Sequence, residues 1–75
     1  MHTYSIVLDR DSEEGVFTVT VPALPGCVTQ GQTRDECIER AHEAIAVHIA
    51  GLEADGIPVP LETEHPELLQ VTVAA

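Results

Sequence analysis

The sequence predicts an α+β fold of two layers. Its order is β-β-β-α-β, an antiparallel, hairpin-based sheet with one long helix on one face. Three observations lead there. Two alternating apolar/polar runs near the N-terminus are separated by a polar, glycine-ended turn. One longer run places apolar residues at helical spacing. A last alternating run closes the chain. The length of 75 residues leaves room for one small core, because a chain this short buries only about 60% of its unfolded surface. A single domain over residues 1–75 is therefore expected. With 44% apolar and 21% charged residues, the composition is globular rather than disordered.

Residues 3–9 alternate, with Tyr4, Ile6 and Leu8 on one face and Thr3, Ser5, Val7 and Asp9 on the other, the mark of a half-buried strand. Arg10–Gly15 is a polar turn, and Val16–Val21 resumes alternation with the β-branched content that pleated surfaces favour. The two runs are expected to form a hairpin. Pro22-Ala23-Leu24-Pro25-Gly26 cannot continue a central strand, since each proline lacks a ladder donor. A short third strand, Cys27–Gln30, follows and ends at Gly31. Thr33-Arg34-Asp35-Glu36 is a capping box, hydroxyl and carboxylate satisfying helix-terminal amides reciprocally. From Cys37, the residues Ile38, Ala41, Ala44, Ile45, His48, Ile49 and Leu52 form one apolar stripe, and Gly56 with Pro58 stops the helix after about 20 residues. Pro58–Pro66 is a proline-broken connector. Leu68–Ala74 alternates again and is expected to be a fourth strand.

Charge and composition exclude several classes of function. Thirteen acidic against three basic side chains give a net charge of −10. Such a chain repels a phosphate backbone, and two aromatic residues, Tyr4 and Phe17, leave little to stack bases on, so direct nucleic-acid binding is not expected. No apolar stretch approaches the ~20 residues that span a bilayer, and the N-terminus lacks the basic and apolar regions of a signal peptide. A cytoplasmic protein is expected, with Cys27 and Cys37 reduced and acting as small buried hydrophobes. The order Cys27, Cys37, His42, His48 matches no usual zinc spacing, so neither a metal nor a cofactor is expected. With those staples set aside, a small acidic domain is expected to gain stability from self-association as a dimer or tetramer. Val7, Val16, Val28 and Leu68 are candidates for the sheet face that one helix leaves uncovered.

Catalytic patterns are sparse. Ser5 and Ser12 lie in no nucleophile-elbow context, no lysine follows a glycine loop, and His42 and His48 read as surface and half-buried structural residues. Carboxylates that bind Mg²⁺ for phosphoryl chemistry are the one alternative, with Asp9 approaching Glu39 or Glu43. A solvated acidic helix face and an acidic turn explain the same residues without catalysis.

The run Gly15–Val19, then Val21-Pro22-Ala23-Leu24-Pro25-Gly26-Cys27-Val28-Thr29-Gln30-Gly31-Gln32-Thr33, then Glu36 and the alanine-rich helix resembles the HicB family of antitoxins. Pro22, Leu24, Pro25, Gly26, Cys27, Gly31, Thr33 and Glu36 carry the motif, with Ile57-Pro58-Val59-Pro60 further on. Ala23 and Gln32 stand where the family usually has acidic residues. The resemblance implies a degraded ribonuclease-H-like domain that oligomerises and, without catalysis, masks a HicA-like toxin, a small basic messenger-RNA-cleaving ribonuclease. It also implies the toxin-binding domain without the operator-binding module that family members often append after the fourth strand. Asp9, Asp11, Glu13 and Glu14, with Glu39 and Glu43 on the helix, are the residues expected to face such a partner. The alternatives are a residual metal-dependent nuclease and an orphan structural oligomerisation module.

Overall fold

The computed structural model describes residues 2–74 and shows an α+β fold of three antiparallel strands and one long helix. Strands β1 (Val7–Arg10), β2 (Phe17–Thr20) and β3 (Val28–Gly31) form a sheet in the order β1-β2-β3, and α1 (Arg34–Ala54) lies across it, chiefly over β3. The register pairs Leu8 with Val19 and Val19 with Thr29, so Ile6, Leu8, Phe17, Val19 and Val21 share the helix side. Val7, Asp9, Thr18, Thr20, Val28 and Gln30 take the opposite face. That uncovered face is mostly polar.

The first strand is shorter than the alternation over 3–9 predicts. Continuing the register would set Ser5 opposite Pro22, whose nitrogen has no hydrogen to give. Ser5 instead finds its partner in the connector: its backbone N–H and its hydroxyl donate to the two carboxylate oxygens of Glu62, at 2.8 and 2.7 Å. Tyr4 donates its hydroxyl hydrogen to the Pro60 carbonyl beside it. His65 Nδ1 lies 2.9 Å from Glu62 Oε2.

Between β2 and β3, the proline-rich step is built from two successive turns. Leu24 N–H donates to the Val21 carbonyl across Pro22-Ala23, and Cys27 N–H donates to the Leu24 carbonyl across Pro25-Gly26. The second carries proline at its second position and Gly26 at φ 86° at its third, the requirement of a type II turn. The bend drives Leu24 inward, where it is fully buried with Val21 and Cys27 against Tyr4, Ile6, Ala44 and Ile45. A second buried cluster, Val19, Cys37 and Ala41, lies under Leu8 and Phe17. Gly31 joins sheet to helix: a Cβ there would stand 2.7 Å from Cys37 Sγ and 2.9 Å from the Cys37 nitrogen.

The helix begins and ends where its termini require. Thr33 Oγ1 accepts from Glu36 N–H at 3.1 Å, while the Glu36 carboxylate accepts from Gln32 N–H rather than from Thr33, a shifted form of the expected capping box. At the other end Gly56 N–H donates to Glu53 and Ile57 N–H to Leu52, the two hydrogen bonds of a Schellman stop. The apolar stripe is only partly covered. Cys37 and Ala41 are buried, and Ala44, Ile45, His48, Ile49 and Leu52 half-buried, but Ile38 is 59% exposed.

The fourth strand is the main correction. Leu68–Ala74 forms no ladder, and Leu68 and Val71 are 93% and 86% exposed. Alternation supplies a strand's side chains, but its backbone groups need a neighbouring strand, and no described strand lies beside this segment. Among the described residues the architecture is β-β-β-α followed by a tail.

Two substitutions test the core. Leu24→Ala removes a fully buried side chain and is expected to cost ~2–5 kcal/mol, much of a small domain's stability. Gly31→Ala forces a methyl group against the Cys37 backbone and is expected to cost ~1–3 kcal/mol. Thermal unfolding followed by circular dichroism would show a fall of roughly 4–8 °C per kcal/mol, and an unchanged melting point for Gly31→Ala would contradict the close approach. The connector anchor is expected to be pH-sensitive. Hydrogen bonds from the Ser5 side chain and backbone, with His65 adding to them, hold the Glu62 carboxyl below its ordinary 4.5. A lowered folded-state value means that the contribution is complete above 4.5 and is lost as pH falls through the folded value. The protection of the Ser5 amide against hydrogen exchange, relative to its intrinsic rate at each pH, should fall on acidification, and in Glu62→Gln it should be low already at neutral pH.

Candidate functional site

The six acidic residues expected to face a partner fall into two groups. The first surrounds the β1–β2 turn. Asp9 sits on β1 with its side chain on the face opposite the helix, since it pairs with Thr18 and alternates with Leu8. Asp11 Oδ1 accepts from the N–H groups of Glu13 and Glu14, at 2.9 and 3.2 Å, so its carboxylate shapes the turn. That local bond turns the backbone so that Glu13 and Glu14 are held out into solvent.

The second group is on the helix. Glu39 lies between the buried Cys37 and Ala41 in sequence, two residues from each, and 100° per residue turns it outward. Glu43 borders a shallow cleft of about 380 Å³ between β3 and α1, with Cys27, Val28, Thr29, Arg40 and His48. Asp9 and Glu39 thus occupy opposite sides of the molecule, with sheet and helix between them. Among the described residues no group of three or more His, Cys, Asp or Glu side chains is placed to hold a metal ion. The convergence a metal-dependent nuclease requires is not present among them.

What the two groups share is electrostatic. Among the described residues the one ion pair is His65 with Glu62, so Asp9, Glu13, Glu14, Glu39 and Glu43 stand without cationic partners. Of the three arginines, Arg10 lies over the Phe17 ring, 5.7 Å from its centre, and Arg40 borders the β3–α1 cleft. Among the described residues the acidic surface is left largely uncompensated.

The motif residues Pro22, Leu24, Pro25, Gly26, Cys27, Gly31, Thr33 and Glu36 are structural: they make the double turn, the sheet–helix contact and the helix cap. Burial pushes the Cys27 thiol above its ordinary value, which keeps it neutral and unsuited to attack as a thiolate. Cys37 is buried and free as well. The cluster of Ser5, Glu62 and His65 escaped sequence reasoning, because Ser5 lies 57 residues from Glu62 and no spacing pattern links them. No helix among the described residues is long and apolar enough to cross a membrane.

Comparison with known proteins places these features. Residues 4–72 match the family model of the HicB-like antitoxin of bacterial toxin–antitoxin systems. A UPF0150 protein of Thermoplasma acidophilum is 40% identical over 57 residues, spanning 76% of this chain and 81% of its own. A UPF0150 protein of Archaeoglobus fulgidus is 46% identical over 46 residues, 61% of this chain and 65% of the relative. An uncharacterised 14.9 kDa protein of Haemophilus phage HP1 is 41% identical over 57 residues, and there the match covers 76% of this chain but only 41% of the relative. With its motif residues building the double turn and helix cap of the matched region, the chain belongs to the HicB-like antitoxin family.

Proposed function

We propose that this protein is a non-catalytic binding module that neutralises a basic, messenger-RNA-cleaving toxin of the HicA type, and that it does so as a homo-oligomer in the cytoplasm. The observation that carries the reading is the set of carboxylates at Asp9, Glu13, Glu14, Glu39 and Glu43 that have no cationic partner among the described residues, in a chain of net charge −10. A ribonuclease that grips RNA must present cations to phosphate, and the same cations are attracted to a protein surface of the opposite sign. Asp11 contributes by shaping the turn that carries Glu13 and Glu14.

In this reading the βββα body is the remnant of a ribonuclease-H-like domain in which the scaffold persists as a docking surface. Support comes from the antiparallel β1-β2-β3 meander leading into one long helix, with acids dispersed over two faces rather than gathered at one centre. Long-range attraction between opposite charges speeds encounter, and screening by salt weakens it.

Binding to a basic ribonuclease of the HicA type, measured by surface plasmon resonance, is expected to associate at least about 10-fold more slowly in high salt than in low salt. Glu13→Lys with Glu14→Lys should slow association while leaving the circular dichroism spectrum unchanged. Absence of a complex at low salt would overturn the proposal, as would an association rate indifferent to both salt and charge reversal.

A further inference from the structure

The tail and the body each lack what the other offers. Among the described residues β1 is an edge strand with no strand on its outer side. Beside its run-in, a groove of about 440 Å³ opens between the N-terminal segment and the helix, with Tyr4, Ile6, Ile38, Ala41, Ile45 and Ile49 supplying its apolar lining. The tail, in turn, carries Leu68, Leu69, Val71 and Val73, exposed by 74–93%.

The two match in pattern as well as in polarity. A strand laid along β1 sends alternate side chains to opposite faces. Leu69, Val71 and Val73 then fall on the helix side, against Ile38, Ile45 and Ile49. Gln70 and Thr72 fall on the other side, where Asp9, Thr18, Thr20 and Gln30 outnumber Val7 and Val28. One register satisfies both faces, and a slip of one residue reverses both.

The chain's own tail is badly placed to do this. The connector is pinned at Ser5 by Glu62 and at Tyr4 by Pro60, directly beside the groove. Six residues of extended chain carry Leu68 up to ~20 Å from that anchor, while the polar Thr63–Glu67 segment occupies the near positions. The shape of the molecule agrees. A compact domain of this length has a radius of gyration of ~11 Å, but the value is 14.3 Å, with a longest dimension of 46 Å.

We propose that Leu68–Val73 of one copy adds as a fourth strand to the outer edge of β1 in a second copy, its apolar face filling the groove of Ile6, Ile38, Ile45 and Ile49, and that the exchange is reciprocal. Such a dimer is isologous, each chain lending the strand it receives. The inference specifies the oligomer of the preceding reading and stands apart from whether a toxin binds.

Light scattering of the full chain and of Val71→Asp, with crosslinking of a Val71→Cys, Ile38→Cys double variant by a short bismaleimide, tests it. The expected result is a mass of two chains, or an even multiple, falling to one chain in Val71→Asp at the same concentration, with the crosslink joining two chains. An oligomer that Val71→Asp leaves intact keeps the oligomeric reading but overturns strand exchange. A crosslink closing within one chain overturns it too, because the tail then completes its own sheet. A wild-type chain that is monomeric throughout the concentration range defeats both readings.

Discussion

The contact between Gly31 and Cys37 is the constraint on which the rest of the molecule hangs. β3 ends and the helix begins within a few residues of each other, so the chain must turn sharply back over the sheet. It can do so only if strand backbone and helix backbone nearly touch. Missing one side chain at Gly31, the helix settles low enough for Cys37 and Ala41 to reach Val19. Thr33 and Glu36 then hold the first turn in that position by satisfying its free amides. The second buried cluster follows further along the same helix, where Ala44 and Ile45 meet Leu24. A core this small has little redundancy, because each cluster contains only three buried residues.

Most of the fold was legible because most of it is local. Helix caps, the Pro-Gly bend and the hairpin depend on residues within about one turn of each other, and their signals lie in short windows. The inward path of Leu24 was not legible: flanking prolines announce a bend but not the direction in which it points its middle residue. The shortened β1 follows from Pro22 only once the register is known, since the missing donor matters at Ser5, 17 positions away along the chain. The tail shows the deeper limit. Alternation at Leu68–Val73 records a strand's two faces faithfully, yet pairing is a property of two segments, and the sequence of one names no partner.

The candidate surface was legible in charge and not in geometry. Counting residues establishes an excess of carboxylates. It does not reveal that Asp9 and Glu39 point to opposite sides, or that Asp11 is engaged by its own turn. Surfaces of this kind act through a summed field rather than through one set of converging atoms. The acids lie spread over two faces, while the residue pattern shared with the family serves the scaffold.

The burial of both thiols has one more consequence. Cys37 is 0% exposed and Cys27 5%, and each belongs to a different cluster. A water-soluble thiol reagent reaches Cys37 only while the helix is lifted from β3, and Cys27 only while the double turn is loosened. Their labelling rates therefore read out how often each half of the core opens. The molecule carries two internal clocks, one under the helix start and one under the bend, and the ratio of their rates would tell whether its two halves breathe together or apart.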